Sequence, residues 1–189
     1  GQAQLVDART VEVNGQQYAH RRIQATRAII LATGARWAPL PTDVQQVLRP
    51  DEAIQLDAAP GRLLVWGGGA AEVEFATLFA ALGSQVTLVV DGPYPLPQED
   101  YEIGQRLQGS LQSQGIQVMC NVRVKSAART SDGLQVALSS LEAMGTSGET
   151  QMIVDKLLWA GRVPFTDGLG LEQVGVKLNE GAAVVNDRM

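Results

Sequence analysis

The chain has 189 residues, of which 45% are hydrophobic and 19% are charged, a composition typical of a folded globular protein. Its formal net charge is −5 and its basic residues form no block, which argues against DNA or RNA as a partner. The apolar runs are too short to span a bilayer, so we expect no membrane partner and a cytoplasmic location.

Only one cysteine, Cys120, and one histidine, His20, are present. One thiol cannot form an internal disulfide, and metal sites built from Cys/His clusters are excluded. Cys120 lies in the apolar run IQVMCN, which indicates a small core residue. His20 stands beside two arginines and is expected on a solvent-facing strand. We therefore expect neither a metal site nor a catalytic residue in this chain.

The first part of the chain alternates like β structure. The runs AQLVD and TVEV predict strands, Asn14-Gly15 predicts a hairpin turn, and QQYAHRRIQAT is the expected returning strand. The run RAIILATGA is almost continuously apolar, which predicts a strand buried on both faces and ending in a glycine turn. Four prolines between Arg36 and Arg62 predict a crossover linker with one helical turn in PDEAIQL.

From Leu63 the pattern alternates between strands and helices. LLVW, QVTLVV and IQVMC predict strands, and the helices between them are expected to end near Gly83 and Gly115. VRVKSAAR, LQVALSS and TQMIVDKLLWA predict further strands, and the tail contains a short helical piece and a strand in AAVVN. This order predicts an α/β fold, a Rossmann-like three-layer nucleotide-binding domain with an antiparallel β-meander.

The run GGGAAE lies between the first strand and the first helix of this unit. In the dinucleotide fingerprint G-x-G-x-x-G, Gly67 and Gly69 take the first two positions, and Glu72 takes the third. A turn that packs strand against helix and binds nothing stays open as an alternative. The Glu72 carboxylate either crowds the turn and weakens pyrophosphate binding, or points outward and complements the helix dipole.

Cofactor choice depends on the end of the second strand, where an acidic residue accepts from the ribose 2′-OH of NAD. That position falls on Val90, and a one-residue adjustment would let Asp91 serve instead. No Arg or Lys stands between Val90 and Arg106 to hold the 2′-phosphate of NADP. The sequence therefore favours NAD over NADP.

Three motifs carry a family resemblance: IILATGARWAPLP, LLVWGGGAAEVEFATLFAALGSQVTLV and LLWAGRVPFTDGLGLEQVGV. In content, order and separation the chain resembles the pyridine nucleotide–disulfide oxidoreductases, FAD-dependent enzymes, and within them the dihydrolipoamide dehydrogenase branch. The resemblance implies hydride transfer between NAD(H) and FAD in a parent homodimer, coupled to a dithiol/disulfide substrate such as dihydrolipoamide.

In such enzymes an NAD domain interrupts the FAD domain. The resemblance therefore implies FAD-domain pieces at both ends of the chain, with the turn of Ala32, Thr33 and Gly34 approaching the flavin. The implied segments are residues 1–45 (FAD-domain meander and ATG strand), 46–61 (linker), 62–161 (NAD-binding domain) and 162–189 (return to the FAD domain).

The resemblance also implies roles for single residues toward the dinucleotide. The pyrophosphate is expected beside Gly67, Gly69, Ala70 and Ala71. Glu74 matches a family glutamate on the nicotinamide side, although by its own pattern it reads as a solvated helix residue. The two remaining implied contacts are Val124, beside the adenosine, and Gly161, near the bound nucleotide.

The chain also departs from the family pattern. Glu72 replaces a glycine or alanine, Val90 an acidic residue, and Phe165 a common asparagine. The flavin glycine motif, the redox cysteine pair and the C-terminal His-Glu dyad are not in this sequence, so it reads as a middle segment of a longer enzyme. Two alternatives stay open: a decayed or purely structural nucleotide-binding module, and a flavoprotein reductase or transhydrogenase with a non-disulfide acceptor.

Overall fold

The structure is a computed structural model that describes residues 1–15, 20–40, 44, 46–141 and 149–187. The chain divides into two compact units. One joins the two ends, Gly1–Ala38 with Arg162–Met189, and the other is the continuous segment Pro39–Gly161.

The first unit begins with an antiparallel sheet. Its strands, in the order β1-β2-β3, are β1 (Gln2–Asp7), β2 (Thr10–Asn14) and β3 (Arg21–Gln24). The expected antiparallel pairing of these strands is confirmed, but Val13 pairs with Arg21, so the connection is longer than a two-residue turn at Asn14-Gly15 and the return strand begins later than the run QQYAHRRIQAT predicts. Residues 16–19 of that run lie outside the described residues. His20 is exposed, and its Nε2 lies 2.8 Å from Glu12 Oε1.

The predicted buried strand RAIILATGA is not observed. Residues 28–34 lack regular structure, and only Ala35–Trp37 forms a strand, β4. Ile30 is 87% exposed. A strand that is apolar on both faces needs neighbouring strands and covering layers, and no strand in the described part of the chain forms a sheet with residues 28–34. The apolar pattern is present, and the partners that would bury it are not among these residues.

The second unit contains a parallel sheet and a meander. The parallel sheet has the strand order β5-β12-β6-β7-β8, and the antiparallel meander has the order β11-β10-β9. The elements in chain order are β5 (Val47–Leu48), α1 (Pro50–Ala53), β6 (Arg62–Trp66), α2 (Ala70–Ala81), β7 (Gln85–Val90), α3 (Tyr101–Ser113), β8 (Gln117–Cys120), β9 (Val122–Thr130), β10 (Gly133–Ser140), β11 (Glu149–Val154) and β12 (Lys156–Trp159).

Two predictions within this unit need correction. The segment expected as a linker, 46–61, contains β5, which pairs in parallel with β12. The run TQMIVDKLLWA is not one strand, because the chain leaves the meander after β11 and enters the parallel sheet as β12. Asp155 stands at this change of sheet and accepts from the Arg62 backbone N–H at 2.7 Å. Apolar runs show where strands are, but not which sheet each strand joins.

Strand β6 separates two hydrophobic cores. Leu63 and Val65 belong to the core that includes the buried face of α2, whereas Leu64 and Trp66 belong to the core under the meander. All four side chains are at most 6% exposed. Burial on both faces explains why the run LLVW carries no polar alternation.

The helix ends agree with the sequence signals. Gly83 follows α2 with a φ of 92°, and Gly115 follows α3 with a φ of 84°, so both occupy the left-handed conformation that favours glycine. Asp100 precedes α3, and its carboxylate accepts from the Glu102 N–H at 3.0 Å, which satisfies one open amide of the helix N-terminus.

The tail of the chain completes the first unit. Strand β13 (Arg162–Pro164) pairs with β4, a 3₁₀ helix covers Glu172–Val174, and β14 (Leu178–Asn179) pairs with β15 (Ala182–Ala183). The predicted strand AAVVN is therefore limited to its first two residues. Among the described residues, no helix has both the length and the apolarity needed to cross a bilayer.

Exposed apolar residues of the first unit generate a prediction. Ile30 is 87% exposed and Val185 is 66% exposed. Burying such surface is favourable, so we expect the chain to self-associate with rising concentration. The double variant Ile30→Ser/Val185→Ser should lower the average mass measured by size exclusion with light scattering. Ile54→Ser, at a 70% exposed position in the second unit, is the matched control. A monodisperse wild-type monomer at all concentrations would contradict this prediction.

Candidate functional site

The glycine-rich turn connects the end of β6 to the start of α2. Gly67 has a φ of 120° and donates its N–H to the Val89 carbonyl at 2.8 Å. Gly68 lies against the end of β7, where a Cβ would stand only 2.6 Å from Val90 Cγ1. Gly69 is the N-cap of α2. The turn thus requires glycine at Gly68 as well, a position that the fingerprint leaves unassigned.

Glu72 points into this turn. Its side chain is buried, and Oε2 lies 2.7 Å from the place that a Cβ on Gly69 would occupy. The carboxylate accepts hydrogen bonds from the backbone N–H groups of Gly69, Ala160 and Glu72 itself. Ala160 directly follows β12, so the carboxylate connects the helix start to the neighbouring strand end. Of the two orientations left open by the sequence, the structure shows the inward one.

The environment of Glu72 shifts its protonation. Burial raises the pKa of the Glu72 carboxyl above its ordinary value of 4.5, and the three backbone hydrogen bonds oppose this rise. The first amides of a helix and the positive end of its dipole form an anion-binding site. In this chain the Glu72 carboxylate takes two of those amides, so an internal anion occupies donors that a ligand phosphate would use.

The end of β7 presents Val90 and Asp91 to different surroundings. Val90 is 1% exposed and faces Gly68. Asp91 contacts the meander side, where Oδ1 accepts from Trp66 Nε1 at 3.1 Å and Oδ2 accepts from Arg123 Nε at 2.7 Å. Asp91 follows the last residue of β7, and its carboxylate contacts Trp66 and Arg123 rather than the glycine turn that Val90 faces.

The other predicted dinucleotide contacts differ in exposure. Ala70 and Glu74 are exposed on α2, and Ala71 is half-buried. Val124 is 3% exposed within the core under the meander. Gly161 follows Ala160, and a Cβ at Gly161 would lie 2.6 Å from the Trp159 ring. The structure thus brings Gly67, Gly69, Ala70 and Ala71 together and leaves Val124 inside the core.

Two tryptophans at adjacent strand ends were not predicted as part of the site. Trp66 and Trp159 are paired residues of β6 and β12, and their rings stack with centroids 4.9 Å apart. The Arg49 guanidinium lies 5.0 Å from the Trp159 ring centroid. Each tryptophan stands at the end of a predicted strand. Because the carboxyl ends of parallel strands meet on one side of a sheet, these two positions could have predicted that the tryptophans lie together.

The ATG turn lies in the first unit. Thr33 Oγ1 donates to the Phe165 carbonyl at 2.6 Å, and the Phe165 N–H donates to the Gly34 carbonyl at 3.0 Å. Gly34 has a φ of 72°. These bonds hold the turn against the tail, and Ala32 is exposed beside it. Across the described ranges, no cluster of three or more His, Cys, Asp or Glu side chains could hold a metal ion.

Comparison with known proteins places this geometry in a family. The model of the pyridine nucleotide-disulphide oxidoreductases matches residues 1–189. The chain belongs to the pyridine nucleotide–disulphide oxidoreductase family. Among the relatives of this chain, a dihydrolipoyl dehydrogenase from Thermus scotoductus is 38% identical over 199 residues, covering 100% of this chain and 40% of the relative. A mercuric reductase from Streptomyces lividans is 34% identical, covering 99% of this chain and 39% of the relative.

A solved structure gives the same result for the fold. The HOCl-induced flavoprotein disulfide reductase RclA from Escherichia coli superposes with a TM-score of 0.75 at 31% identity, covering 100% of this chain and 41% of that chain. The chain therefore spans about two fifths of the length of the relatives that it matches. The predicted α/β, Rossmann-like fold is confirmed.

The buried carboxylate generates a prediction about pH and stability. Because the folded state raises the pKa of Glu72, it binds more protons than the unfolded state above pH 4.5, and stability falls as pH rises through that window. Glu72→Gln removes this titration. The free energy of unfolding of the wild type, relative to Glu72→Gln, should decrease as the pH rises above 4.5, as measured by urea denaturation.

The control is Glu74→Gln, which changes an exposed carboxylate of the same helix. Its free energy of unfolding should follow the wild type at every pH. If Glu72→Gln and Glu74→Gln give parallel pH profiles, the Glu72 carboxyl is not desolvated in solution.

Proposed function

We propose that the second unit binds a nicotinamide dinucleotide at the turn between β6 and α2. The turn geometry carries the proposal: a buried parallel strand ends in a positive-φ glycine, and an N-capping Gly69 opens a helix at the carboxyl edge of the sheet. Such a helix N-terminus binds phosphate through backbone amides. Gly69 and Ala70, which are exposed, and the half-buried Ala71 would hold the pyrophosphate through their backbone amides, with the Gly69 amide shared with Glu72.

The proposed role in the parent enzyme is hydride transfer between NAD(H) and FAD. The cofactors supply the redox chemistry, and this chain supplies binding and orientation. Glu74, exposed on α2, and Gly161, after β12, are the proposed neighbours of the nicotinamide half. In the first unit, the turn held by Thr33 and Gly34 is the proposed flavin contact, and its hydrogen bonds to Phe165 fix its conformation.

Relatives support the proposed substrate class. The names dihydrolipoyl dehydrogenase and dihydrolipoamide dehydrogenase belong to proteins that are 38% and 32% identical to this chain. We propose that the parent couples nicotinamide oxidation or reduction to a dithiol such as dihydrolipoamide and that it is a homodimer. A non-disulfide acceptor is a second candidate, because an NAD(P)H dehydrogenase (quinone) from Mycobacterium tuberculosis is 34% identical.

The position of Glu72 limits the expected affinity. Its carboxylate already accepts from the amides of Gly69 and Glu72, so a bound pyrophosphate must compete with a buried negative charge. Two anions on one set of donors repel each other in a poorly solvated site. A dinucleotide fits when the carboxylate turns away or is protonated.

A titration tests the proposed function. We expect the chain to bind NADH weakly, and Glu72→Gly to lower the dissociation constant about tenfold, a gain of about 1.4 kcal/mol. Energy transfer from tryptophan to the reduced nicotinamide measures both values, because Trp159 adjoins the site. Glu74→Gln controls for the charge of α2. Absence of NADH binding by both the wild type and Glu72→Gly would favour a structural, non-binding module.

A second prediction concerns turnover by the chain itself. Cys120 is the only thiol and lies half-buried in β8, with Sγ 3.7 Å from Gln108 Oε1. A single cysteine cannot cycle between dithiol and disulfide. We expect no NADH formation from NAD⁺ and dihydrolipoamide, measured by absorbance. Dithiol-dependent NADH formation that persists in Cys120→Ser would contradict this expectation.

A further inference from the structure

Two sequence features favour NAD: an acidic residue, Asp91, beside the end of the second strand, and the absence of Arg or Lys between Val90 and Arg106. The structure changes the interpretation of both. The expected acidic reader, Asp91, contacts the meander side, and the residue facing the glycine turn at the end of β7 is the apolar Val90. An acidic residue favours NAD by accepting from the ribose 2′-OH and repelling a 2′-phosphate. Val90 does neither, so this position gives no preference for NAD.

A basic side chain also reaches the end of β7 from another strand. Arg123 is the second residue of β9, the meander strand that also carries Val124, and its Nε lies 2.7 Å from Asp91 Oδ2. The two residues are 32 positions apart, so the absence of Arg or Lys after Val90 does not show this neighbour. The Arg123 side chain is 56% exposed, so it remains accessible to a ligand from solvent.

The charge of Asp91 is compensated in this arrangement. One carboxylate oxygen accepts from Trp66 and the other from Arg123, so both oxygens already have a donor. A guanidinium has five N–H donors in a planar fork that matches phosphate oxygens, and one of them serves Asp91. The remaining donors suit a second anion at the same place better than a ribose hydroxyl.

We propose that Arg123 is a specificity-determining residue that reads the 2′-phosphate of NADP(H) at the adenosine end of the site. This inference rests on the proposed function, since it needs a dinucleotide on the glycine turn. With Val90 at the end of β7 and Asp91 held by Trp66 and Arg123, the chain binds NADPH at least as tightly as NADH.

The test compares dissociation constants for NADPH and NADH in matched arginine variants. Arg123→Ala should weaken NADPH binding about tenfold, the loss of one charge-assisted hydrogen bond, and leave NADH within about twofold. Arg129→Ala is the control, because Arg129 lies on the same strand and contacts Gln46 instead. Arg123→Lys keeps the positive charge but lacks the planar guanidinium, so its dissociation constant for NADPH should lie between those of the wild type and Arg123→Ala. Competition by 2′,5′-ADP against NADH should follow the same order.

Asp91→Asn gives an independent arm with an opposite sign. Removing the acidic charge beside Arg123 should lower the dissociation constant for NADPH and leave the dissociation constant for NADH unchanged. If Asp91→Asn instead raises the dissociation constant for NADH and leaves that for NADPH unchanged, Asp91 is the ribose reader and the inference is overturned. The inference is also overturned if Arg123→Ala and Arg129→Ala give the same ratio of NADPH to NADH dissociation constants. A chain that binds NADH but not NADPH overturns the inference and leaves the proposed function standing. A wild-type chain that binds neither dinucleotide contradicts both.

Discussion

Burial of β6 on both faces is the constraint on which the second unit depends. Leu63 and Val65 face the core of α2, and Leu64 and Trp66 face the core of the meander, so no face of the strand is free for water. The chain can leave such a strand only beyond its carboxyl end, where the strand is no longer covered on both faces. Gly67 makes this exit with a positive φ, and α2 starts three residues later. The fold and the candidate phosphate site therefore share one turn.

That shared turn brings stability and binding into conflict at Glu72. The amides at the start of α2 have no partner within the helix, and a phosphate or a side chain can satisfy them. Here the Glu72 carboxylate does so and also accepts from Ala160, which links the helix to β12. The chain thus stabilises its own helix N-terminus with the donors that a dinucleotide would use. The cost is a buried carboxyl whose pKa is raised.

The sequence predicted local elements well and their partners poorly. The glycine turn, α2 with Gly83 after it, and α3 with Gly115 after it all rest on signals within a few residues. The run at 28–34 failed because its strand character depends on partners that pattern alone does not supply. The division of one apolar run at Asp155 failed for a related reason, since sheet membership is a long-range property.

The sequence by itself determined the helices of the second unit and the position of the glycine turn, because each follows from residue types at short, fixed spacings, and its three motifs carried the family resemblance. Only the tertiary structure decided the inward direction of Glu72 and the approach of Arg123 to Asp91. Both depend on which strand ends meet: β12 beside β6 supplies the Ala160 amide, and β9 brings Arg123 to the end of β7. Side chains so far apart in sequence become neighbours only through strand order.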